Sequence, residues 1–432
     1  MKPPFESQVD TLSLLGSVNA KREVKTRRQV KARRLPDFAG AGQALDPLLA
    51  SKLPTLQEFP SPCYVLDLAQ LRKNMRLLNR IQSEADCRIL LALKGFSTWS
   101  AFDQMTPYLA GCCASGVWEA RLAREKFGGE VHTYAPAFTD EDVNELLQIT
   151  DHLTFNSLSQ WSHFKDQILN HPRSRHMKFG LRINPEASTS SYALYDPCAP
   201  MSRLGIKNSQ LQGADLTGIT GFHSHTLCQQ GVDALETTLQ AIEEKFSFWL
   251  PQLQWINLGG GHHITREDYD VDRLIKVLKR FSQKWNLKVY LEPGEAHVYK
   301  AGSLVASVLD IVENEMEIAL VDVSATAHMP DVLEMPYRPP LANSGEPGEK
   351  AHTYRIGSTT CLSGDIIGDY SFDQPLKAGD RILFEDQAQY TLVKTTMFNG
   401  IKHPSIALWD SDLNELRVVR EFSYEDFCSR LS

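Results

Sequence analysis

A lysine that ends an apolar segment is the first candidate for chemistry in this sequence. Lys94 directly follows the strand-like "RILLAL" (88–93) and directly precedes a glycine. A lysine that is partly withdrawn from water loses its proton more readily and becomes a nucleophile, whereas most lysines are solvated surface charges. The role of Lys94 therefore depends on which groups end the neighbouring strands.

Reactive groups also end the later strand-like segments. Arg182 lies near the end of "KFGLRIN" (178–184), and His223 and His225 lie in "GFHSHTLC". Further along the chain, "NLGGGHH" contains Gly259, Gly260 and Gly261, and "LEPGEA" contains Glu292 and Glu295. Each of these residues alone has an ordinary structural explanation, such as a turn or an ion pair. Their recurrence at successive strand ends favours one shared site.

Together these groups match the needs of pyridoxal phosphate. This cofactor requires an amine for its aldehyde, backbone donors for its phosphate, a ring against its pyridine face and a carboxylate at its pyridine nitrogen. Lys94, the glycine run, His225 and Glu292 supply these parts, and we add Arg182 to the cofactor-binding candidates. A zinc site is the competing interpretation, built from His223, His225, His262 and His263. We expect no metal, because no carboxylate or thiolate completes a ligand spacing.

The elements around these residues predict a (β/α)₈ barrel over residues 60–295. Eight strand-like segments alternate with amphipathic helices, and reactive groups in such barrels lie at the C-terminal strand ends. The segments are "RILLAL", "AGCCA", "VHTYA", "HLTFN", "KFGLRIN", "ITGFHSH", "WINLGG" and "KVYLEP". An additional strand, "CYVLD" (63–67), precedes them, and we expect that it could pair with a second domain.

A β-rich domain is predicted over residues 296–432. After Gly294 the strand-like segments "LVASVLDIVE", "IALVDVSA", "RILFEDQAQYTLVKT" and "SIALWD" follow one another without comparable helices until the last dozen residues. The Pro/Gly-rich segment 338–350 reads as a loop within this domain.

Composition excludes several function classes. A net charge of −8 argues against a general nucleic-acid partner, and no apolar run is long enough to cross a membrane. Eight cysteines without a C-x-x-C pair, and no signal-peptide pattern, favour the cytoplasm. The segment 1–55 differs: its stretch 21–34 has eight basic residues and one acid, which predicts a disordered tail. A contact with nucleic acid or another acidic surface, or a targeting segment, remains an alternative for this tail.

The succession "ALKGFS", "HSHTLC", "NLGGGHH", "LEPGEA" and "GSTTCLSGD" resembles the fold type III, alanine-racemase-like pyridoxal phosphate decarboxylases. With "HMPDVLEMPYRP" (328–339), it is most similar to the carboxynorspermidine/carboxyspermidine decarboxylase family, over about residues 60–432. The resemblance implies that Lys94 carries the cofactor, His225 stacks on its ring and Glu292 contacts the pyridine nitrogen. It also implies that the glycines 259–261 bind phosphate and that Tyr390, in "AQYT", lies near it.

The resemblance further implies a homodimer with shared active sites. Cys361 would protonate the product carbon and Asp365 would help to bind the substrate amine, and both would come from the second subunit. Related ornithine and diaminopimelate decarboxylases usually have arginine where Glu295 stands and serine where Cys228 stands. The phosphate contacts known in those enzymes are therefore not assigned to Glu295 and Cys228 in this chain.

The implied activity is the decarboxylation of carboxynorspermidine to norspermidine, of carboxyspermidine to spermidine, or of both. Such substrates end in ammonium groups, so we expect an acidic distal wall made by Asp331, Glu334, Glu295 and Asp365. Asp331 and Glu334 could instead be solvated loop acids. Arg338 could pair with a distal carboxylate of another substrate or neutralise one of these two acids. The alternatives are a decarboxylase of diaminopimelate, ornithine or arginine, and a non-catalytic protein that binds pyridoxal phosphate or polyamines.

Overall fold

The computed structural model describes residues 33–34, 56–190 and 193–432. Two short strands come first, β1 Arg33–Arg34 and β2 Cys63–Asp67. Eight parallel strands then close into a barrel, in which the last strand pairs with the first. They are β3 Arg88–Ala92, β4 Gly111–Ala114, β5 Glu130–Tyr134, β6 His152–Phe155, β7 Lys178–Arg182, β8 Ile219–His223, β9 Trp255–Asn257 and β10 Lys288–Leu291.

Helices connect most of the barrel strands. They are α1 Leu68–Ala85, α2 Val117–Leu122, α3 Asp140–Ile149, α4 Leu158–Asn170, α5 Asn208–Leu211, α6 Val232–Phe246 and α7 Val271–Trp285. A π-helical turn, Ala123–Phe127, extends α2, and 3₁₀ turns cover Trp99–Gln104, Pro172–His176, Ala193–Tyr195, Leu250–Gln252 and Glu295–His297. The N-termini of four of these helices are capped by side chains that accept a backbone N–H: Asp67 for α1, Thr139 for α3, Ser157 for α4 and Asp270 for α7.

Successive side chains along each barrel strand point alternately toward the surrounding helices and into the barrel interior. Ile89 and Leu91 of β3 belong to the large core under the helices, whereas Leu90 packs inside the barrel with Trp255 and Tyr290. The Trp255 ring fills space that glycine leaves, since a Cβ on Gly221 would lie 2.0 Å from a ring carbon. The interior is therefore packed, and the space for chemistry lies at the strand ends.

A nine-stranded sheet forms the second domain. Its order is β1-β17-β16-β2-β11-β12-β13-β14, and β15 pairs with β11. The strands are β11 Gly302–Asn314, β12 Met316–Val321, β13 His352–Gly357, β14 Ile366–Phe372, β15 Arg381–Glu385, β16 Ser405–Asp410 and β17 Glu415–Arg420. Its short helices are α8 Ala325–His328, α9 Asp331–Glu334 and α10 Tyr424–Cys428, and a 3₁₀ turn covers Phe398–Gly400.

The predicted fold class, a (β/α)₈ barrel with a β-rich second domain, is confirmed. The strand 63–67 lies in the second sheet, parallel to β16 and antiparallel to β11. The strand predicted over 381–395 is wrong beyond Glu385, where turns begin, and the one predicted over 318–325 ends at Val321. The domain limits at 60, 295 and 296 stay predictions.

Most of the predicted basic tail, 1–55, lies outside the described residues. Two of its residues are described, and they form β1, which pairs antiparallel with Glu415 and Leu416 of β17. Across the described ranges, no helix has both the length and the apolar character needed to cross a membrane.

Candidate active site

The C-terminal ends of the barrel strands, here called the barrel mouth, gather the candidate residues. Lys94 lies two residues beyond β3, Arg182 ends β7, and Glu292 directly follows β10. Lys94 is solvent-exposed rather than desolvated. Its charge nevertheless reaches the other groups, because burial and, next, the charge of Lys94 hold the pKa of His225 well below its usual 6.5. An available amine therefore stands beside a neutral imidazole.

Glu292 is a buried carboxylate with fixed partners. It is 8% exposed, and its Oε1 accepts a 2.5 Å hydrogen bond from Nδ2 of Asn257. Its Oε2 lies 3.5 Å from Nε2 of His223. Burial lowers the pKa of His223 to about 4, although the charge of Glu292 opposes this effect. Near neutral pH, His223 is therefore an uncharged neighbour.

His225 is oriented through both its backbone and its ring. Nη2 of Arg182 donates to the carbonyl oxygen of His225 at 3.1 Å, and the Gly260 amide donates to its Nδ1 at 3.3 Å. The ring also explains a glycine: Gly259 has φ +72°, and a Cβ there would lie 2.7 Å from the His225 side chain. Gly259 lets the loop run directly against the imidazole.

The three predicted phosphate glycines differ in what their amides do. The Gly259 amide donates to Oδ1 of Asn257 at 2.8 Å, and the Gly260 amide donates to His225. Within residues 56–190 and 193–432, the Gly261 amide has no acceptor. The loop therefore offers one free donor and uses the other two to hold side chains of the site.

Tyr390 joins the second domain to the mouth. Its amide donates to the carbonyl oxygen of Gly95 at 2.8 Å, and a Cβ on Gly294 would lie 2.9 Å from its hydroxyl. Tyr390 thus contacts the segment after Lys94 and the segment after Glu292.

Glu295 contacts loops of the barrel. Its Oε1 accepts from Nε2 of Gln229 at 3.0 Å, and its Oε2 pairs with Nε2 of His263. These residues follow β8, β9 and β10, so Glu295 ties three successive loops together. Its predicted contact with substrate stays a prediction, and the geometry favours a role in holding loops.

The predicted acidic wall is partly neutralised by a lysine. Asp331 accepts from Nζ of Lys394 at 2.5 Å, and Glu334 pairs with the same ammonium group. Lys394 was not predicted as a partner of these acids, since it lies 63 residues from Asp331 in the sequence. Arg338 pairs instead with Glu346, so it does not neutralise these two acids.

Cys361 and Asp365 lie in the loop between β13 and β14. Cys361 is exposed, and its amide donates to Oδ1 of Asn399 at 2.8 Å, within the same domain. Asp365 is 3% exposed. Its carboxylate accepts from the Ser324 hydroxyl at 2.6 Å, from the Thr326 amide at 3.1 Å and from the Thr360 hydroxyl. The predicted substrate contact of Asp365 therefore has no support in this geometry, which gives the carboxylate a role in anchoring the loop.

Two further residues of the mouth were missed. Asn257 contacts both Glu292 and the glycine loop, and Glu119 lies in the first turn of α2, where it accepts from the Ser115 amide at 2.6 Å. Burial raises the pKa of Glu119, and the charge of Lys94 is one of the effects that lower it. Its position at the start of a helix that follows a barrel strand was the available sequence signal.

The four histidines of the alternative zinc site do not assemble. His223 and His225 approach Glu292, with one possible ligand atom from each within 4.8 Å of the others. His262 contacts the Tyr269 hydroxyl at 3.4 Å, and His263 pairs with Glu295. The mouth fits pyridoxal phosphate: it has an available amine, a free glycine amide, a neutral imidazole and a buried carboxylate.

The family model described as pyridoxal-dependent decarboxylase, C-terminal sheet domain, matches residues 63–388. This match spans well over half of the chain. The chain belongs to the pyridoxal-dependent decarboxylase family. It is therefore an enzyme, a pyridoxal-dependent carboxy-lyase.

Relatives of known name cover nearly the whole chain. A carboxynorspermidine/carboxyspermidine decarboxylase of Campylobacter jejuni is 43% identical over 87% of this chain and 99% of its own length. A carboxyaminopropylagmatine decarboxylase of Synechocystis is 46% identical over 88% of this chain and 97% of its own length. The crystal structure of the C. jejuni carboxynorspermidine decarboxylase complexed with norspermidine has a TM-score of 0.79, 43% identity, and coverage of 86% of this chain and 99% of that chain.

Proposed function

We propose that this enzyme uses pyridoxal 5′-phosphate to decarboxylate carboxynorspermidine to norspermidine, carboxyspermidine to spermidine, or both, in polyamine biosynthesis. One observation carries the proposal: Lys94, His225, Glu292 and the glycine loop meet at the mouth of a chain that aligns almost end to end with such decarboxylases. The ammonium-rich substrate is inferred from the named relatives.

Each candidate residue of the mouth would contact a different part of the cofactor. Pyridoxal phosphate, when bound, supplies the electron sink that receives the electron pair left by departing carbon dioxide. Lys94 would hold the aldehyde carbon, and the Gly261 amide would donate to the phosphate, with Tyr390 beside it. His225 would pack against the ring face, oriented by Arg182 and by Gly260. Glu292 would keep a proton on the pyridine nitrogen.

The proton donor would come from a second copy of the chain. Cys361 is exposed on the sheet domain, and its recorded backbone contact lies within that domain, which supports a role at another copy's site. We therefore propose a homodimer with shared active sites, in which Cys361 protonates the product α-carbon.

Subunit complementation tests this arrangement. Lys94→Ala and Cys361→Ala should each be nearly inactive as separate homodimers. Unfolded together and refolded as a mixture, they should regain about a quarter of wild-type activity, because half of the dimers are mixed and each mixed dimer has one intact site. A mixture that stays inactive while dimers form would place Cys361 in the site of its own chain.

The distal end of the substrate would meet the acids near α9. The predicted contact with the substrate's distal cation remains assigned to Asp331, Glu334 and Glu295. Lys394 already contacts the first two of these acids. The substrate's terminal cation would have to share or displace that ammonium group. Asp365, buried and hydrogen bonded within the loop, is the weakest member of the predicted set.

A second candidate substrate is carboxyaminopropylagmatine. It is favoured by the relative that is 46% identical over 88% of this chain. Its tail ends in a guanidinium group, a planar fork that could contact two carboxylates at once. We place either reaction in the cytoplasm, which the eight free cysteines support.

Release of carbon dioxide from a panel of amino acids tests the function. The panel holds carboxynorspermidine, carboxyspermidine, carboxyaminopropylagmatine, diaminopimelate and ornithine. We expect kcat/KM for one of the first three to exceed that for the last two by about a hundredfold or more. Ornithine is too short to bring its ammonium group to the distal acids, and diaminopimelate would place a carboxylate among them. A preference for diaminopimelate or ornithine would overturn the proposal.

Lys94→Ala supplies the catalytic control. It should remove the visible absorbance band of the bound cofactor and lower turnover by roughly a thousandfold or more. Lys350→Ala is the matched control, because Lys350 is a half-buried lysine whose ion pair with Asp373, at 2.9 Å, lies in the sheet domain. It should leave both readings unchanged.

A further inference from the structure

Asn257 is a buried amide whose two polar atoms are both used. It ends β9 and is 2% exposed. Nδ2 donates to Oε1 of Glu292 at 2.5 Å, and Oδ1 accepts from the Gly259 amide at 2.8 Å. The network fixes the orientation of the amide, because a carboxylate can only accept and a backbone N–H can only donate.

The backbone around Asn257 ties three barrel loops together. Its carbonyl oxygen accepts from the Ser224 amide at 2.8 Å, and the carbonyl oxygen of Gly259 accepts from the Glu292 amide at 2.8 Å. The side chain therefore lies where the loops after β8, β9 and β10 meet. A change in this one amide would alter the carboxylate and the glycine loop together.

The bond to Glu292 is the stronger of the two side-chain bonds. A hydrogen bond to an ionised acceptor is shorter and roughly twice as strong as a neutral one, and burial strengthens it further. Among the described residues, the polar contact of the other Glu292 oxygen is the 3.5 Å approach to Nε2 of His223. Asn257 is thus the main group that sets where the carboxylate points.

We propose that Asn257 is a positioning residue that holds the Glu292 carboxylate and the start of the glycine loop in one fixed relation. The proposal rests on the proposed binding of pyridoxal phosphate at the mouth. Glu292 would meet one end of the cofactor and the glycine loop the other, so their separation must match the length of the cofactor. Asn257 would act through Glu292 and the glycine loop, to which its two side-chain polar atoms are bonded.

Two single variants separate the two bonds. Asn257→Asp keeps an oxygen for the Gly259 amide but loses the donor to Glu292 and places a second carboxyl group beside it. Asn257→Leu has a similar volume and removes both bonds. We expect Asn257→Asp to lower kcat tenfold or more and to change the visible spectrum of the bound cofactor, with affinity reduced less than about fivefold. We expect Asn257→Leu to lower cofactor affinity tenfold or more as well.

Asn184→Asp is the matched control. Asn184 is also buried, its Oδ1 accepts from the Glu186 amide at 2.8 Å, and its amide lies in the loop after β7, without a contact to Glu292. The same substitution there should leave the spectrum and the affinity within about twofold of wild type. An equal effect of both variants would assign the Asn257 phenotype to general damage and overturn the proposal.

A double variant keeps the test decisive if Asn257→Asp folds poorly. Asn257→Asp combined with Glu292→Gln exchanges the carboxylate and the amide, so one hydrogen bond can form again. We expect cofactor affinity to return to within about twofold of wild type, while turnover stays low because no carboxylate faces the ring nitrogen. A double variant whose cofactor affinity stays tenfold or more below that of wild type would overturn the proposal.

Cofactor titration distinguishes this proposal from the substrate assignment. The affinity and the spectrum are measured with pyridoxal phosphate alone, by absorbance and by quenching of tryptophan fluorescence. If the wild type binds cofactor but decarboxylates none of the triamine substrates, the proposed function fails and the Asn257 comparison still decides the positioning role. A wild type that binds no cofactor overturns both.

Discussion

Two clusters of the same composition, two histidines and a glutamate each, lie inside one barrel and have different surroundings. We call His223, His225 and Glu292 the mouth cluster, and Glu130, His132 and His152 the lower cluster, since Glu130 and His152 begin their strands. In each cluster, one possible ligand atom from each residue lies within 4.8 Å of the others. Residue type alone therefore does not identify the active site.

Aromatic packing closes the lower cluster. The rings of His132 and His152 stack at 3.7 Å with 13° between their planes, and they contact Tyr290 and Trp255. Glu130 accepts from Nε2 of His132 at 3.0 Å. These ring contacts pack the cluster within the barrel, although the buried Nδ1 of His152 has no hydrogen-bond partner in the described part of the chain.

Glycine and lysine distinguish the mouth cluster. The Gly259–Gly261 backbone runs against His225, and Lys94 is an exposed amine whose charge acts on that imidazole. The contrast teaches that the neighbours of a polar cluster decide its role. A glycine backbone with a free amide permits binding, whereas large rings make the same residue types part of the core.

Removing the charge of each glutamate should give the largest contrast. Glu292→Gln should lower kcat by about a hundredfold or more, because it removes the group that would keep the pyridine nitrogen protonated. Glu130→Gln is its matched control and should leave kcat within about twofold while reducing the free energy of unfolding by about 1–2 kcal/mol. Carbon dioxide release and urea unfolding measure the two effects. Equal losses of activity would contradict the division between the clusters.

The acid sensitivity of the lower cluster gives an intermediate effect. Burial, then the charges of His132 and Lys178, hold the pKa of His152 below its usual 6.5. In acid, His152 therefore binds a proton in the unfolded chain but stays neutral in the folded protein. Its contribution to the free energy of unfolding is complete above pH 6.5 and is lost as the pH falls. At pH 5 the loss from His152 should be about 2 kcal/mol, at 1.36 kcal/mol per pH unit.

His152→Phe should flatten this dependence, since a phenyl ring can stack on His132 without titrating. Urea unfolding at pH 7 and pH 5, on wild type and variant with the same cofactor loading, measures the difference. Burial also lowers the pKa of His297, which remains in both proteins, so the comparison isolates His152. A variant as acid-sensitive as wild type would show that His152 is not responsible.

The sequence predicted the barrel because its strands are short apolar segments, most of which are followed by an amphipathic helix. The second domain was harder. β13 and β14 were missed because "HTYRIG" and "IIGDYSF" mix polar residues and glycine with the apolar ones, and their burial is irregular. Their stability comes from pairing with each other and with β12, which a local pattern does not encode.

The same limit applies to the candidate site. Lys94, His225 and Glu292 could be found because each lies within two residues of the end of a recognisable strand. Asn257 could not, because an asparagine within "WINLGG" has no distinctive pattern and its partner Glu292 lies 35 residues away. Lys394 contacts Asp331 across 63 residues. The candidate reactive residues were visible from their positions, whereas Asn257 and Lys394 required the tertiary contacts.

The smallest expected effect concerns metal. Zinc requires nitrogen and oxygen ligands at about 2.0–2.2 Å with lone pairs that converge on the ion. In the lower cluster the lone pairs of the two stacked rings lie in nearly parallel planes, with ring centroids 3.7 Å apart, which opposes their convergence on one ion. In the mouth cluster, the Gly260 amide already donates to His225, and Asn257 already donates to Glu292. Dialysis against EDTA should therefore leave carbon dioxide release unchanged, and added zinc should not raise the melting temperature.

Elemental analysis of the purified protein makes this comparison sharper. We expect far less than one zinc per chain. One equivalent that survives gel filtration would contradict the argument, and substitution would then locate it. Loss of the ion in His152→Phe would place it in the lower cluster, where the rings would have to tilt out of their stack. Loss in His223→Ala would place it at the mouth, where zinc and the cofactor would compete for Glu292, so pyridoxal phosphate should displace the ion.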